Sequence, residues 1–164
     1  MTLIRMSHLL CLLLVAIAMA LTLAHALELP GKMLLDRDTY LAIQKIYYPG
    51  FTIGGAAEPL GIVALLLLLY FAPPDGSRYW WALVAFGALV AMHLIYWFVT
   101  HPVNNFWTRD IKLEGLGATF FSLFAPKISS DDWMQLRNVW EYSHVARAVL
   151  GMVSFICLAR AIVA

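Results

Sequence analysis

Four stretches of this chain are apolar over about 20 residues each, the length a helix needs to cross a hydrocarbon core of about 30 Å. The helices are expected at about residues 9–27, 51–71, 79–100 and 130–163, the last with its apolar part from about residue 143. The third opens on Trp80-Trp81 and closes on Tyr96-Trp97-Phe98, an aromatic belt at both ends. Composition agrees: 62% of the residues are hydrophobic and 13% charged, against about 45–50% and about 25% in a soluble domain. The expectation is an all-α fold, a four-transmembrane-helix bundle with two long connectors on one membrane face, built as a single membrane domain over residues 1–164. A net charge of +1 carries no footprint for nucleic acid, which is excluded as a partner.

The first stretch has a rival reading. Arg5, an apolar run and Ala24-His25-Ala26 also have the form of a secretory signal with its cleavage site. The run is long for a signal, so a retained first span is expected. Residues 72–78 (APPDGSR) form a tight turn that makes the second and third helices an antiparallel hairpin. Residues 28–50 are longer, and 38–48 are expected as a short surface helix carrying Tyr40, Tyr47 and Tyr48 near the headgroups. Residues 101–142 form the longest connector; its apolar patch 116–125 is too short to span. Ser129 with Asp132 has the form of a capping box that starts the fourth helix near Ser130. Lysine and arginine counts favour long connectors in the cytoplasm, while Arg5 favours the opposite, so orientation in a membrane of the bacterial inner-membrane type stays open. Cys11 and Cys157 lie in apolar runs without a CxxC pair, which argues for small apolar filler and against thiol–disulfide chemistry.

Ionisable residues inside spans are costly and mark function. Here His25 and Glu28 end the first helix, Glu58 lies near the start of the second, His93 and His101 end the third, and Trp140, Glu141, His144 and Arg147 open the fourth. Alternating helix directions place all of them in the half facing the long connectors. With a rise of about 1.5 Å per residue, Glu58 and His93 fall at similar depth on antiparallel neighbours. Arg147 needs a buried carboxylate, for which Glu58 and Glu141 are the candidates. His25/Glu28 and Glu141/His144 are i, i+3 pairs on opposite-running helices, so His25 can sit level with His144 and Glu28 with Glu141. Two-iron bundles use similar His/Glu pairs. His25, Glu28, Glu58, Glu141 and His144 are therefore candidate ligands of a transition metal, the alternative being a hydrogen-bonded network without metal. His8 and Glu114 are expected to be solvated, and Gly54, Gly55 and Gly151 to permit close helix approach.

The order His25-x-x-Glu28-Leu29-Pro30-x-Lys32, Gly55-x-x-Glu58-Pro59, His101-Pro102-Val103-Asn104 and Trp140-Glu141-x-x-His144-x-x-Arg147 resembles the anthrone oxygenase-like family of small four-helix membrane proteins, much of it described only as a domain of unknown function. The resemblance covers most of the chain and implies an oxygenase acting on lipophilic aromatic molecules such as anthrones. On that basis His25, Glu58, His144 and Arg147 are the candidate catalytic residues. His93, His101, Asn104, Trp107 and Trp140 are the candidate substrate-binding residues. The partners implied are the lipid bilayer and a lipophilic small molecule, with homo-oligomerisation left open. Two other function classes compete: a carrier or small-molecule-binding protein using Glu58, His93 and Arg147 as a path, and a structural or assembly subunit.

Overall fold

The computed structural model describes residues 3–48, 50–107 and 132–164. The apolar patch 116–125, Glu114 and Ser129–Ser130 lie outside the described residues. The chain is all-α. Its elements are α1 (Leu3–Lys32), α2 (Arg37–Tyr47), α3 (Gly50–Gly55), α4 (Ala57–Phe71), α5 (Gly76–Ile95), a π-helical turn (Tyr96–Thr100), α6 (His101–Trp107) and α7 (Trp133–Val163). Among the described residues four helical segments are long and apolar enough to cross a membrane: Arg5–Lys32, Gly50–Phe71, Gly76–Trp107 and Trp133–Val163. Helix α7 packs along α1 and α5, and α4 packs along the same two, so α4 and α7 sit diagonally across the bundle.

The first and third spans run past their expected ends, the second and fourth end where expected, and prolines shape the first three. Helix α1 continues through Pro30 to Lys32, because a proline this close to the C-terminus removes only one of the last turn's bonds. The second span breaks at Ala56 between α3 and α4, three residues before Pro59, which cannot donate to the carbonyl of Gly55. The third continues to Trp107 through the π-helical turn, in which the His101 N–H reaches back to the Tyr96 carbonyl. The widened turn relieves the clash of the Pro102 ring with the preceding turn. Helix α7 starts at Trp133, capped by Asp132, whose carboxylate accepts the N–H groups of Met134 and Gln135 at 3.0 and 3.3 Å. In the tight turn before α5, Gly76 adopts φ +71°, a conformation that side chains disfavour.

One end of the bundle is ordinary apolar packing. Cys11, Val15, Leu65, Leu89, Met92, Cys157 and Leu158 belong to one buried cluster there, with both cysteines free. His8 is buried rather than solvated, since α1 carries it on the same face as Cys11 and Val15. Large apolar side chains such as Leu13, Leu66, Tyr70 and Phe71 face outward, as lipid contact requires.

Gly151 does permit close approach: a Cβ there would lie 3.2 Å from the Met19 Cα and 3.3 Å from its Cβ. Gly54 faces only the movable end of Leu21, and Gly55 has nothing within 4 Å, so the close approach is specific to Gly151. Gly151→Val is expected to destabilise the bundle by about 1–3 kcal/mol through overpacking, and Gly55→Ala to leave it intact. Thermal unfolding of the two variants in detergent checks the contrast.

Candidate functional site

The other end of the bundle collects the ionisable residues into a chain that crosses it. At one side the Lys32 ammonium, 4% exposed, lies 2.9 Å from Glu28 Oε2, 3.7 Å from Glu141 Oε1 and 3.4 Å from His25 Nδ1. It also sits over the rings of Tyr47 and Trp140, at 4.6 and 4.8 Å from their centroids. The His25 and His144 rings meet edge to face with centroids 4.3 Å apart, and Trp140 packs on both, at 4.8 and 4.1 Å. Beyond His144, the Arg147 guanidinium approaches its Nε2 at 3.5 Å and donates to Glu58 Oε2 at 2.7 Å. That ion pair spans the bundle's diagonal. Glu58 Oε1 in turn accepts from His93 Nδ1 at 3.0 Å, and Trp97 Nε1 donates to His93 Nε2 at 2.9 Å.

Each imidazole in this chain faces a group that can only donate. Trp97 obliges His93 Nε2 to accept, so the His93 proton is on Nδ1 and is given to Glu58. His144 Nδ1 lies 2.9 Å from the Trp140 carbonyl and must donate, which leaves Nε2 as a bare lone pair turned toward Arg147. Lys32 obliges His25 Nδ1 to accept. Three neutral imidazoles follow from the hydrogen-bond geometry alone. A neutral imidazole with a bare nitrogen is a base.

The pairings expected from helix register therefore assemble: Glu58 with His93, Glu58 with Arg147, and His25 with His144. Glu28 and Glu141 share Lys32 between them. Asn104 Oδ1 accepts from Trp140 Nε1 at 2.6 Å and from the Tyr48 hydroxyl at 3.2 Å. His101 is 0% exposed, with Tyr96 Oη 3.3 Å from its Nδ1. Trp107 lies in a second apolar cluster, against Tyr40 at 5.5 Å between centroids.

The ligand set expected for a metal does not assemble among the described residues. Among the described residues no group of three or more His, Cys, Asp or Glu side chains is placed to hold an ion. The cause is the two buried cations. Lys32 takes the space between Glu28 and Glu141, and Arg147 holds Glu58 on the other side of His144, so His25, Glu28, Glu58, Glu141 and His144 converge on protein cations. These donors do not fit a metal ion.

Two further corrections concern residues assigned to connectors. Lys32 belongs to the site because it lies four residues after Glu28 and seven after His25 on one helical face, a spacing legible once α1 is extended through Pro30. Helix α2 closes against the bundle instead of presenting its tyrosines outward. Its inner stripe Tyr40, Gln44 and Tyr47 is buried, the Tyr40 hydroxyl donating to Glu141 Oε1 at 2.9 Å and the Tyr47 hydroxyl to Glu28 Oε2 at 2.6 Å. Asp36 caps α2, its carboxylate accepting from the Thr39 N–H at 2.9 Å.

Burial, together with the Glu141 carboxylate, raises the Tyr40 hydroxyl well above the ordinary phenol range; burial and the bond to Glu28 do the same for Tyr47. A group whose folded-state pKa is raised contributes stability that is fully present below its unfolded value, about 10 for tyrosine, and is lost as pH rises beyond it. The protein is therefore expected to hold its melting temperature to about pH 10 and lose it above. The Tyr40→Phe/Tyr47→Phe double variant should start lower and decline less steeply. Thermal melts between neutral and alkaline pH read both effects.

No protein-family model, curated protein or solved structure matches the chain, so it is the geometry of the site that carries the functional reading.

Proposed function

We propose that this chain is a membrane oxidoreductase of the anthrone oxygenase-like kind, acting on lipophilic hydroxyaromatic molecules that reach the site from the bilayer. The observation that carries the proposal is the buried, neutral His144 with its Nε2 lone pair beside the Arg147 guanidinium, and with His25 packed against it. A base next to a fixed cation is what removal of a proton from an activated carbon or phenol requires. His144 or His25 takes the proton, and Arg147 or Lys32 holds the oxygen on which the negative charge gathers. The electron-rich anion is then oxidised by dioxygen: for an anthrone, the ring methylene becomes a carbonyl and the second oxygen atom leaves as water, so no external reductant is needed. Glu58 and His93 position Arg147, and Glu28 with Glu141 position Lys32.

Against a carrier, the half of the bundle away from this network is filled by the apolar cluster around Leu65, Leu89 and Leu158, which leaves a polar path no continuation. The test is dioxygen consumption by detergent-purified protein supplied with 1,8-dihydroxyanthrone, with the anthraquinone product followed by absorbance. Protein-dependent, stoichiometric consumption is expected. A rate equal to spontaneous autoxidation in the same detergent contradicts the proposal.

A further inference from the structure

The third span carries a change of face that plain α-helical geometry does not give. The buried positions of α5 are Ala82, Ala85, Ala88, Leu89 and Met92. At about 3.6 residues per turn this stripe would run on through Val99 and Val103, with His101 on the far side and Asn104 at its border. The π-helical turn holds about one residue more than an α turn, so the buried face advances. Val99 is accordingly 37% exposed, while Thr100 and His101 are 0% and Asn104 6% exposed. Because Pro102 favours the widened turn, this proline decides which side chains the end of the span turns inward.

Two of those side chains fix Trp140. Asn104 Oδ1 accepts from Trp140 Nε1 at 2.6 Å and from the Tyr48 hydroxyl at 3.2 Å. Trp140 Nε1 can only donate, so the Asn104 oxygen faces it and the amide nitrogen is left to donate to the Tyr96 hydroxyl. Thr100 reaches Trp140 through Ser143. The two hydroxyl oxygens are 2.9 Å apart, and Ser143 donates to the Trp140 carbonyl at 2.7 Å. That carbonyl is also the acceptor of the His144 Nδ1 proton. The two rings tied to Asn104 are those that flank the base and the cation. Trp140 packs on His144 and His25 at 4.1 and 4.8 Å between centroids, and the Arg147 guanidinium lies 4.9 Å from the centroid of Tyr96.

We infer that Asn104 is a positioning residue: one amide holds the ring against His144 and the ring against Arg147, so that base and cation keep their spacing. Its effect on turnover rests on the proposed function. Its effect on the histidines does not, and can be read without substrate. An amide serving stability alone would, on removal, lower the melting temperature and leave His144 as it was.

The experiment is nitrogen-15 solid-state NMR of the histidine-labelled full chain in bilayers, with steady-state kinetics on the same preparations. Asn104→Leu keeps the approximate volume and removes the hydrogen bonds. It is expected to show a second set of His144 ring signals, at about a tenth of the total intensity or more. Tyr48→Phe drops one bond to Asn104 without touching either ring, and is expected to leave His144 with a single set. In turnover of a hydroxyanthrone, Asn104→Leu should lower kcat by about 10–10²-fold and change KM by less than about threefold. A wild-type His144 spectrum in Asn104→Leu overturns the inference, as does an equal response to Tyr48→Phe. Should Asn104→Leu not fold, Trp140→Phe takes its place: it keeps a ring on His144 and gives up the bond to Asn104. The same second set is expected there, and a single set overturns the inference. Split His144 signals without dioxygen consumption would sink the oxygenase and leave Asn104 as the residue that orders the histidines. Dioxygen consumption with the His144 spectrum and kcat unmoved by Asn104→Leu would do the reverse.

Discussion

His144→Phe is expected to lower turnover of a hydroxyanthrone by about 10²–10⁴-fold, the range over which a positioned general base acts. Phenylalanine keeps an aromatic ring against His25 and Trp140 but has no nitrogen. The structural loss is small by comparison. The imidazole gives up one hydrogen bond, from Nδ1 to the Trp140 carbonyl, worth about 0.5–1.5 kcal/mol. A purely structural network makes the opposite forecast: stability falls and no chemistry is lost. Turnover and melting temperature measured on one preparation separate the two, and loss of stability alone would remove His144 from catalysis.

The second large effect lies at the diagonal ion pair. Arg147→Met leaves Glu58 as a buried carboxylate with only His93 beside it, and breaking such a pair costs about 3–5 kcal/mol. The companion Glu58→Gln/Arg147→Met variant removes both charges and keeps the approximate volume. Since replacing a buried pair with uncharged groups is often neutral or better, the double variant is expected to regain most of the loss. A double-mutant cycle by thermal or denaturant unfolding in detergent gives the coupling directly. Additive losses would mean that Glu58 and Arg147 do not depend on each other, contrary to their 2.7 Å contact.

The spans were legible because membrane crossing demands a long apolar run, and few alternatives satisfy it. The ends of the first and third were not, for a local reason. Pro30 and Pro102 both look like helix terminators, yet one sits in a last turn and the other is absorbed by a π-helical turn. Extending α1 past Pro30 is what converts Lys32 from a connector charge into the centre of a carboxylate pair. Likewise Glu58, His93, Arg147, His25 and His144 could be matched by counting helical rise, because four antiparallel helices leave little freedom in depth. Helix α2 could not be placed in this way. A short helix with one aromatic face has the same composition whether it lies on lipid headgroups or closes over a protein interior. Only the partners of Tyr40 and Tyr47, on α7 and α1, distinguish the two. A metal ligand set could not be told from an ion-pair network for a related reason: His/Glu spacing along helices is indifferent to whether the space between them is left for an ion or filled by Lys32 and Arg147.

The central claim is that the buried histidines are neutral and that His144 presents a bare Nε2. Nitrogen-15 labelling of the histidines, with solid-state NMR of the protein in bilayers at neutral pH, reads each ring nitrogen as protonated or bare. The expected result is Nδ1 protonated and Nε2 bare for His144, with the same tautomer for His93 and the reverse for His25. A His144 protonated on both nitrogens would leave no base beside Arg147 and would contradict the account.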